Sequence, residues 1–152
     1  MIQHRWTAIC HDSSVDLDSN NITLYRIFAH LQLSHPRQPD DSRAMGIFVQ
    51  VRFHVVTCWG RTTKDGSIAG KTRTTFIDPH GEELMKKDYD VDLTHSQQHH
   101  HRIAIAQLPL THAGQYNFRV DRQTASGEWE RVTESPLDVE IEWIDPSTTS
   151  SE

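Results

Sequence analysis

The chain has 152 residues and a formal charge of −6 at pH 7, with 36% hydrophobic and 24% charged residues. That length suits one domain able to bury roughly 70% of the surface its unfolded chain exposes, and the composition lies outside the highly charged, aromatic-poor range that stays disordered. The acidic balance and the scattering of its 15 Lys and Arg residues exclude the clustered basic surface of a nucleic-acid partner, and no run approaches the roughly 20 apolar residues of a membrane-spanning helix.

Eleven histidines are present, and their titration near pH 6 moves the net charge toward zero and lowers solubility in mildly acidic buffer. The first ten residues lack both the basic start and the apolar run of a signal peptide, so the expected compartment is the cytoplasm. Cys10 and Cys58 sit in apolar-looking segments. They are reduced core residues or one bridge, and the missing export signal favours the reduced state.

In chain order, residues 5–11 form a weak strand candidate. Residues 21–33 read as one long strand, with Tyr25, Ile27, Ala29, Leu31 and Leu33 on one parity. Residues 34–44, with Pro36, Pro39, Asp40 and Asp41, read as a surface loop. The strongest signal is 45–58, where Met45, Ile47, Val49, Val51, Phe53 and Val55 alternate with Gly46, Gln50, Arg52 and His54. Phe48 and Val56 interrupt the polar parity, which predicts a central strand covered on both sides.

Weaker strands are expected at 71–77 and 84–93, with room for a short helical turn in 81–87. A run anchored by Ile103 and Ile105, a run with Tyr116, Phe118 and Val120, and residues 137–143 complete the set. Turn chemistry at Lys64-Asp65-Gly66, Asp78-Pro79-His80-Gly81, Ala113-Gly114 and Ser126-Gly127 separates them. No window carries a helical apolar stripe. The expectation is therefore an all-β fold, a single antiparallel β-sandwich of about eight strands, spanning residues 1–144, followed by a disordered tail at 145–152.

The stretch Thr111-His112-Ala113-Gly114-Gln115-Tyr116-Asn117-Phe118 resembles the corner of immunoglobulin-like domains, where Ala-Gly-x-Tyr enters a strand and the Tyr hydroxyl bonds back to upstream backbone. Phe118 stands where an antibody domain has its second cysteine, so the inter-sheet disulfide is absent from the pattern. Most of the chain, 6–143, is similar to a group of small bacterial sandwich proteins of the domain-of-unknown-function type. The likeness rests on the order of Ala8-Ile9-Cys10-His11-Asp12, Ile22-Thr23-Leu24-Tyr25-Arg26-Ile27-Phe28, the Asp78-Pro79-His80-Gly81-Glu82-Glu83-Leu84 turn, residues 113–120 and Pro136-Leu137-Asp138-Val139. It implies an immunoglobulin-like sandwich in a bacterial cell and carries no activity.

The one cluster of metal-ligand types is His95, His99, His100 and His101, preceded by Asp88, Asp90 and Asp92. On strands, His99 and His101 share a face, as do the aspartates, and imidazoles with a carboxylate suit zinc or a similar divalent ion. The plainer reading is a polar hairpin whose aspartates guard an edge strand. Cys10-His11-Asp12 unites nucleophile, base and acid by type, but strand neighbours point to opposite faces, so a relay needs a distant partner such as His54 or His112. The plainer reading there is a buried cysteine before a polar strand end. Of the tryptophans Trp6, Trp59, Trp129 and Trp143, Trp129 is the one expected at the surface.

No established catalytic or nucleotide motif is present. The preferred expectation is a non-enzymatic binding or assembly module that engages a protein partner or a second copy of itself, by sheet extension along an unpaired 137–143 strand. The alternative is a divalent-metal-binding protein or metal-dependent enzyme using residues 88–101, with His95, His99, His101, Asp90 and Asp92 as candidate ligands.

Overall fold

The computed structural model describes residues 1–36, 47–62, 68–110 and 112–144. Strand-forming alternation organises all of it, and among the described residues there is no helix. In chain order the strands are β1 (Ile2–Val15), β2 (Ile22–Ile27), β3 (His30–Pro36), β4 (Ile47–Arg61), β5 (Ala69–Ile77), β6 (Glu83–Asp92), β7 (Gln98–Leu110), β8 (Gly114–Gln123) and β9 (Trp129–Ile144). The described residues thus form nine strands, where about eight were expected. They form a four-stranded sheet, β2-β1-β4-β7, and a five-stranded sheet, β3-β9-β8-β5-β6. Among the described residues, no helix is long and apolar enough to cross a membrane. Of the surface loop expected at 34–44, residues 34–36 belong to β3 instead; the rest of it, the turn at 64–66 and the tail at 145–152 lie outside the described residues.

The two sheets share a core. Ile9, Phe53, Val55, Ile103, Ile105, Leu108 and Leu110 of the first sheet meet Phe76, Tyr116, Phe118, Leu137 and Val139 of the second. A smaller cluster of Ile2, Trp59, Val91, Leu93 and Val120 lies toward one end. Between the two along β4 comes the buried Thr57, which pairs with Thr7 on one side and His101 on the other. The polar row Thr7–Thr57–His101 thus interrupts the apolar packing of the four-stranded sheet.

Residues 21–33 are not one strand. The Phe28 amide donates to the Ile9 carbonyl of the first sheet at 3.0 Å, whereas the next carbonyl, Ala29, accepts from the Asp138 amide of the second at 2.8 Å. The chain crosses between sheets at that peptide, two residues after Arg26 takes a left-handed φ of 54°. One parity therefore serves two environments: Tyr25 and Ile27 stand in solvent, while Leu31 and Leu33 pack against the core. β3 then runs parallel to β9.

That parallel pairing overturns another expectation. β9 is held by β3 along 138–144 and by β8 along 129–139, so 137–143 is not an outer strand of its sheet, although past Val139 its register among the described residues is with β3 alone. The helical turn expected in 81–87 is absent: residues 78–82 close as a turn, with the Asp78 carboxylate accepting from the amides of His80 at 2.9 Å and Glu82 at 2.8 Å, and 83–87 already belong to β6. Burial works to raise the Asp78 carboxyl, and those amides outweigh it and hold the pKa low.

Candidate functional site

β6 and β7 are edge strands of different sheets that face each other across a seam. An edge strand leaves backbone carbonyls without a ladder partner. On β7, the spacing His99-x-His101 matches the i, i+2 spacing of such carbonyls on β6. His99 Nδ1 bonds the Asp92 carbonyl at 3.3 Å and His101 Nε2 bonds the Asp90 carbonyl at 3.0 Å. A carbonyl only accepts, so each of those nitrogens carries the proton.

The two rings stand edge to face, 4.6 Å apart, and Tyr89 of β6 packs on His101 at 4.9 Å. Burial first, then the neighbouring His99, pushes the His101 pKa down to about 4. The imidazoles thus stand in for a missing strand, closing the seam with side chains.

The bonds leave Nε2 of His99 and Nδ1 of His101 bare, which is what this segment offers an ion. The carboxylates lie elsewhere. Asp88 forms a two-pronged pair with Arg73 at 2.6 and 2.8 Å, and Asp92 accepts the Thr94 amide at 2.8 Å. Asp90 and His95 are exposed. The aspartates do occupy an edge strand, as the edge-guarding reading requires. Among the described residues, no group of three or more His, Cys, Asp or Glu side chains is gathered to hold a metal.

Cys10, Asp12 and His54 do come together on the four-stranded sheet, since Cys10 lies opposite His54 and the Asp12 carboxylate is 3.7 Å from His54 Nδ1. Sequence reasoning missed Ser13, whose hydroxyl lies 2.8 Å from the same nitrogen. A Ser-His-Asp relay needs hydroxyl and carboxylate on opposite ring nitrogens, and here both sit at Nδ1. Burial, followed by the Asp12 charge, pushes the Cys10 thiol up, which keeps it protonated and a poor nucleophile. Cys58, wholly buried, is pushed up to about 11 by burial. Both cysteines are free; Cys58 faces Trp6 while Cys10 faces His54, about 13 Å further along the strand, beyond disulfide reach.

The Tyr116 hydroxyl bonds back to upstream backbone, as the resemblance implied. Tyr116 is fully buried, and its hydroxyl donates to the His112 carbonyl at 2.7 Å while accepting the His112 amide at 3.2 Å. A second histidine pair, unnoticed in the sequence, sits beside it: His80 and His112 meet edge to face at 4.6 Å. Next to this corner an open depression of about 440 Å³ is lined by Ile77, Pro79, Asn117, Arg119, Arg131 and Glu134 among others.

The outer faces of the two sheets differ. On the five-stranded sheet, Arg119 bridges Glu83 at 2.8 Å and Asp121 at 3.2 Å, Arg122 pairs with Glu130 at 2.8 Å, and Arg131 with Glu134 at 3.1 Å. Trp129, expected at the surface, is half-buried under the Arg73 guanidinium at 4.0 Å; Trp143 is the more exposed, at 43%. On the four-stranded sheet, Val56, Cys10 and Cys58 are solvent-free on the outer side, beneath neighbours that include Trp6 packed on His100 at 5.8 Å. That apolar layer runs out to β2, where Tyr25 is 49% and Ile27 65% exposed.

No protein-family model matches this chain, and no curated protein sequence matches it.

Proposed function

We propose that this all-β protein is a non-enzymatic binding or assembly module with an immunoglobulin-like sandwich fold, and that it makes its contacts at the β2 end of the four-stranded sheet. The shared core of two sheets and the Tyr116 corner support the sandwich, with the parallel β3–β9 pair as a departure from its antiparallel pairing. The order of motifs shared with small bacterial sandwich proteins agrees with it.

The observation that carries the functional reading is the exposed pair Tyr25 and Ile27 on an edge strand. Large apolar side chains on an unpaired edge favour association with another chain, and an extended segment can add to such an edge through main-chain bonds. The other outer face has its charges tied in ion pairs within the chain.

An NMR titration with a panel of extended peptides carrying alternate apolar residues tests this. Binding is expected to move the amide resonances of residues 22–27 and leave those of β5 and β8 in place. Shifts confined to the depression beside the 78–82 turn, or none at millimolar peptide, would overturn the reading.

A further inference from the structure

We propose that His99 and His101 form a two-imidazole site for a divalent ion of the late first transition row, Zn²⁺ or Cu²⁺, held through Nε2 of His99 and Nδ1 of His101. The site lies on β7, at the far edge of the four-stranded sheet from β2, and does not depend on the contacts assigned to β2.

Both rings are already held in the manner of ligands. A metal-bound histidine almost always donates its other ring N–H to a carbonyl or carboxylate, which fixes the tautomer and aims the bare nitrogen. His99 Nδ1 makes that bond to the Asp92 carbonyl at 3.3 Å, and His101 Nε2 makes it to the Asp90 carbonyl at 3.0 Å.

The spacing of the rings also suits one shared ion. The two carbonyls are two residues apart on β6, about 6.7 Å along a strand, whereas the ring centres are 4.6 Å apart. The rings therefore lean together with distance from β6, and each bare nitrogen, across its ring from the bonded one, lies on the converging side. An ion about 2.1 Å from each nitrogen stands roughly 3.2 Å from each ring centre, and bond angles of about 90 to 110° then set the centres roughly 4.5 to 5.2 Å apart. The observed 4.6 Å falls within that span.

The bare nitrogens keep contact with solvent, whereas Nδ1 of His100, on the other face of β7, is buried without a partner. Asp90 and Asp92 are exposed nearby, and their charges favour a cation without acting as ligands. No third protein ligand is gathered among the described residues, so water completes the coordination, as in other open sites. His80 and His112 also have ring centres 4.6 Å apart, but among the described residues no backbone carbonyl holds a ring nitrogen of either. They supply an internal control.

Calorimetric titration of Zn²⁺ into the full chain, untagged and stripped with a chelator, tests the site. One ion per chain is expected, with Cu²⁺ bound more tightly than Zn²⁺ and Mg²⁺ not bound. His99→Asn and His101→Gln each keep an amide donor for the β6 carbonyl, Asn in place of Nδ1 and Gln in place of Nε2, and each removes a ligand. Losing only a supporting partner of a ligand costs roughly 10–100-fold in affinity, so each variant should weaken Zn²⁺ binding about tenfold or more. Near pH 7 both should melt like wild type in chelator, and only wild type should gain melting temperature with Zn²⁺. Changing His80 and His112 together to Gln should leave the affinity as it was. NMR of the histidine ring nitrogens, which needs no variant, should show Zn²⁺ shifting His99 Nε2 and His101 Nδ1 while the bonded nitrogens stay protonated.

Absence of binding at millimolar Zn²⁺ would overturn the proposal. So would an affinity indifferent to His99→Asn and His101→Gln, loss of binding when His80 and His112 are changed, or ring-nitrogen shifts confined to other histidines.

Discussion

The Tyr116 side chain shows how one residue can tie a corner. Its ring stacks on Phe76 at 5.2 Å inside the core, and its hydroxyl both donates to and accepts from the backbone of His112. Replacing it by Phe keeps the ring and leaves those two backbone groups short of a partner, at a cost of about 1 to 3 kcal/mol. Tyr116→Ala also removes the ring and should cost about 3 to 5 kcal/mol. Asn117→Ala, the adjacent control, should stay within roughly 0.5 kcal/mol. Urea melts that rank Tyr116→Phe with the control would remove the corner. Gly114, two residues earlier, has a φ of 140°, and a Cβ there would lie 3.0 Å from Pro79. Gly114→Ala is therefore strained by backbone and neighbour alike and should lose on the order of 1 to 3 kcal/mol; a melt unchanged from wild type would contradict that geometry.

At the scale of elements, the seam between β6 and β7 is the feature that responds to pH. His101 faces the Asp90 carbonyl, His99, Tyr89 and the Thr57 row, and its pKa falls from 6.5 to about 4 in the fold. Between those values the unfolded chain binds the proton and the folded one does not. The stability His101 contributes is therefore fully present above pH 6.5 and is lost as pH falls through about 4. His4 and His100, lowered chiefly by burial, push in the same direction. His101→Gln keeps a donor for the carbonyl and removes the titration. It should lessen the acid loss by on the order of 1 kcal/mol, allowing for the partial exposure of the ring. Parallel stability–pH curves for the variant and wild type from pH 7 to 4 would show that the seam is not the titrating element. The edge strands also show the limit of reading elements from sequence. The parity of residues 21–33 is continuous through Phe28 and Ala29, yet the two residues bond to different sheets, because alternation records which side chains share a face and not which sheet supplies the face.

Over the whole molecule, period-two alternation with turn residues between the runs determined that the chain is all-β. It also determined the position of most strands and the inward parity of Phe53, Val55, Phe118, Leu137 and Val139, since these depend on neighbours within a few residues, while the corner at Tyr116 followed from the likeness of 111–118 to immunoglobulin-like domains. What partners each strand depends on contacts distant in sequence, and only the tertiary structure decided it. The placement of β9 between β3 and β8 took 137–143 off the outer position in its sheet, while β2 holds Tyr25 and Ile27 in solvent. Trp129 looks like a loop-end aromatic in sequence, yet Arg73, far away in the chain, covers it. The residue types in 88–101 suggested metal ligands, and the sequence did not show that the fold turns one nitrogen of each of His99 and His101 to the carbonyls of β6 and pairs Asp88 with Arg73. A sequence records which donors a chain owns; which acceptors they meet is settled by sheet order, because strand pairing fixes direction and distance only once the partner strand is chosen.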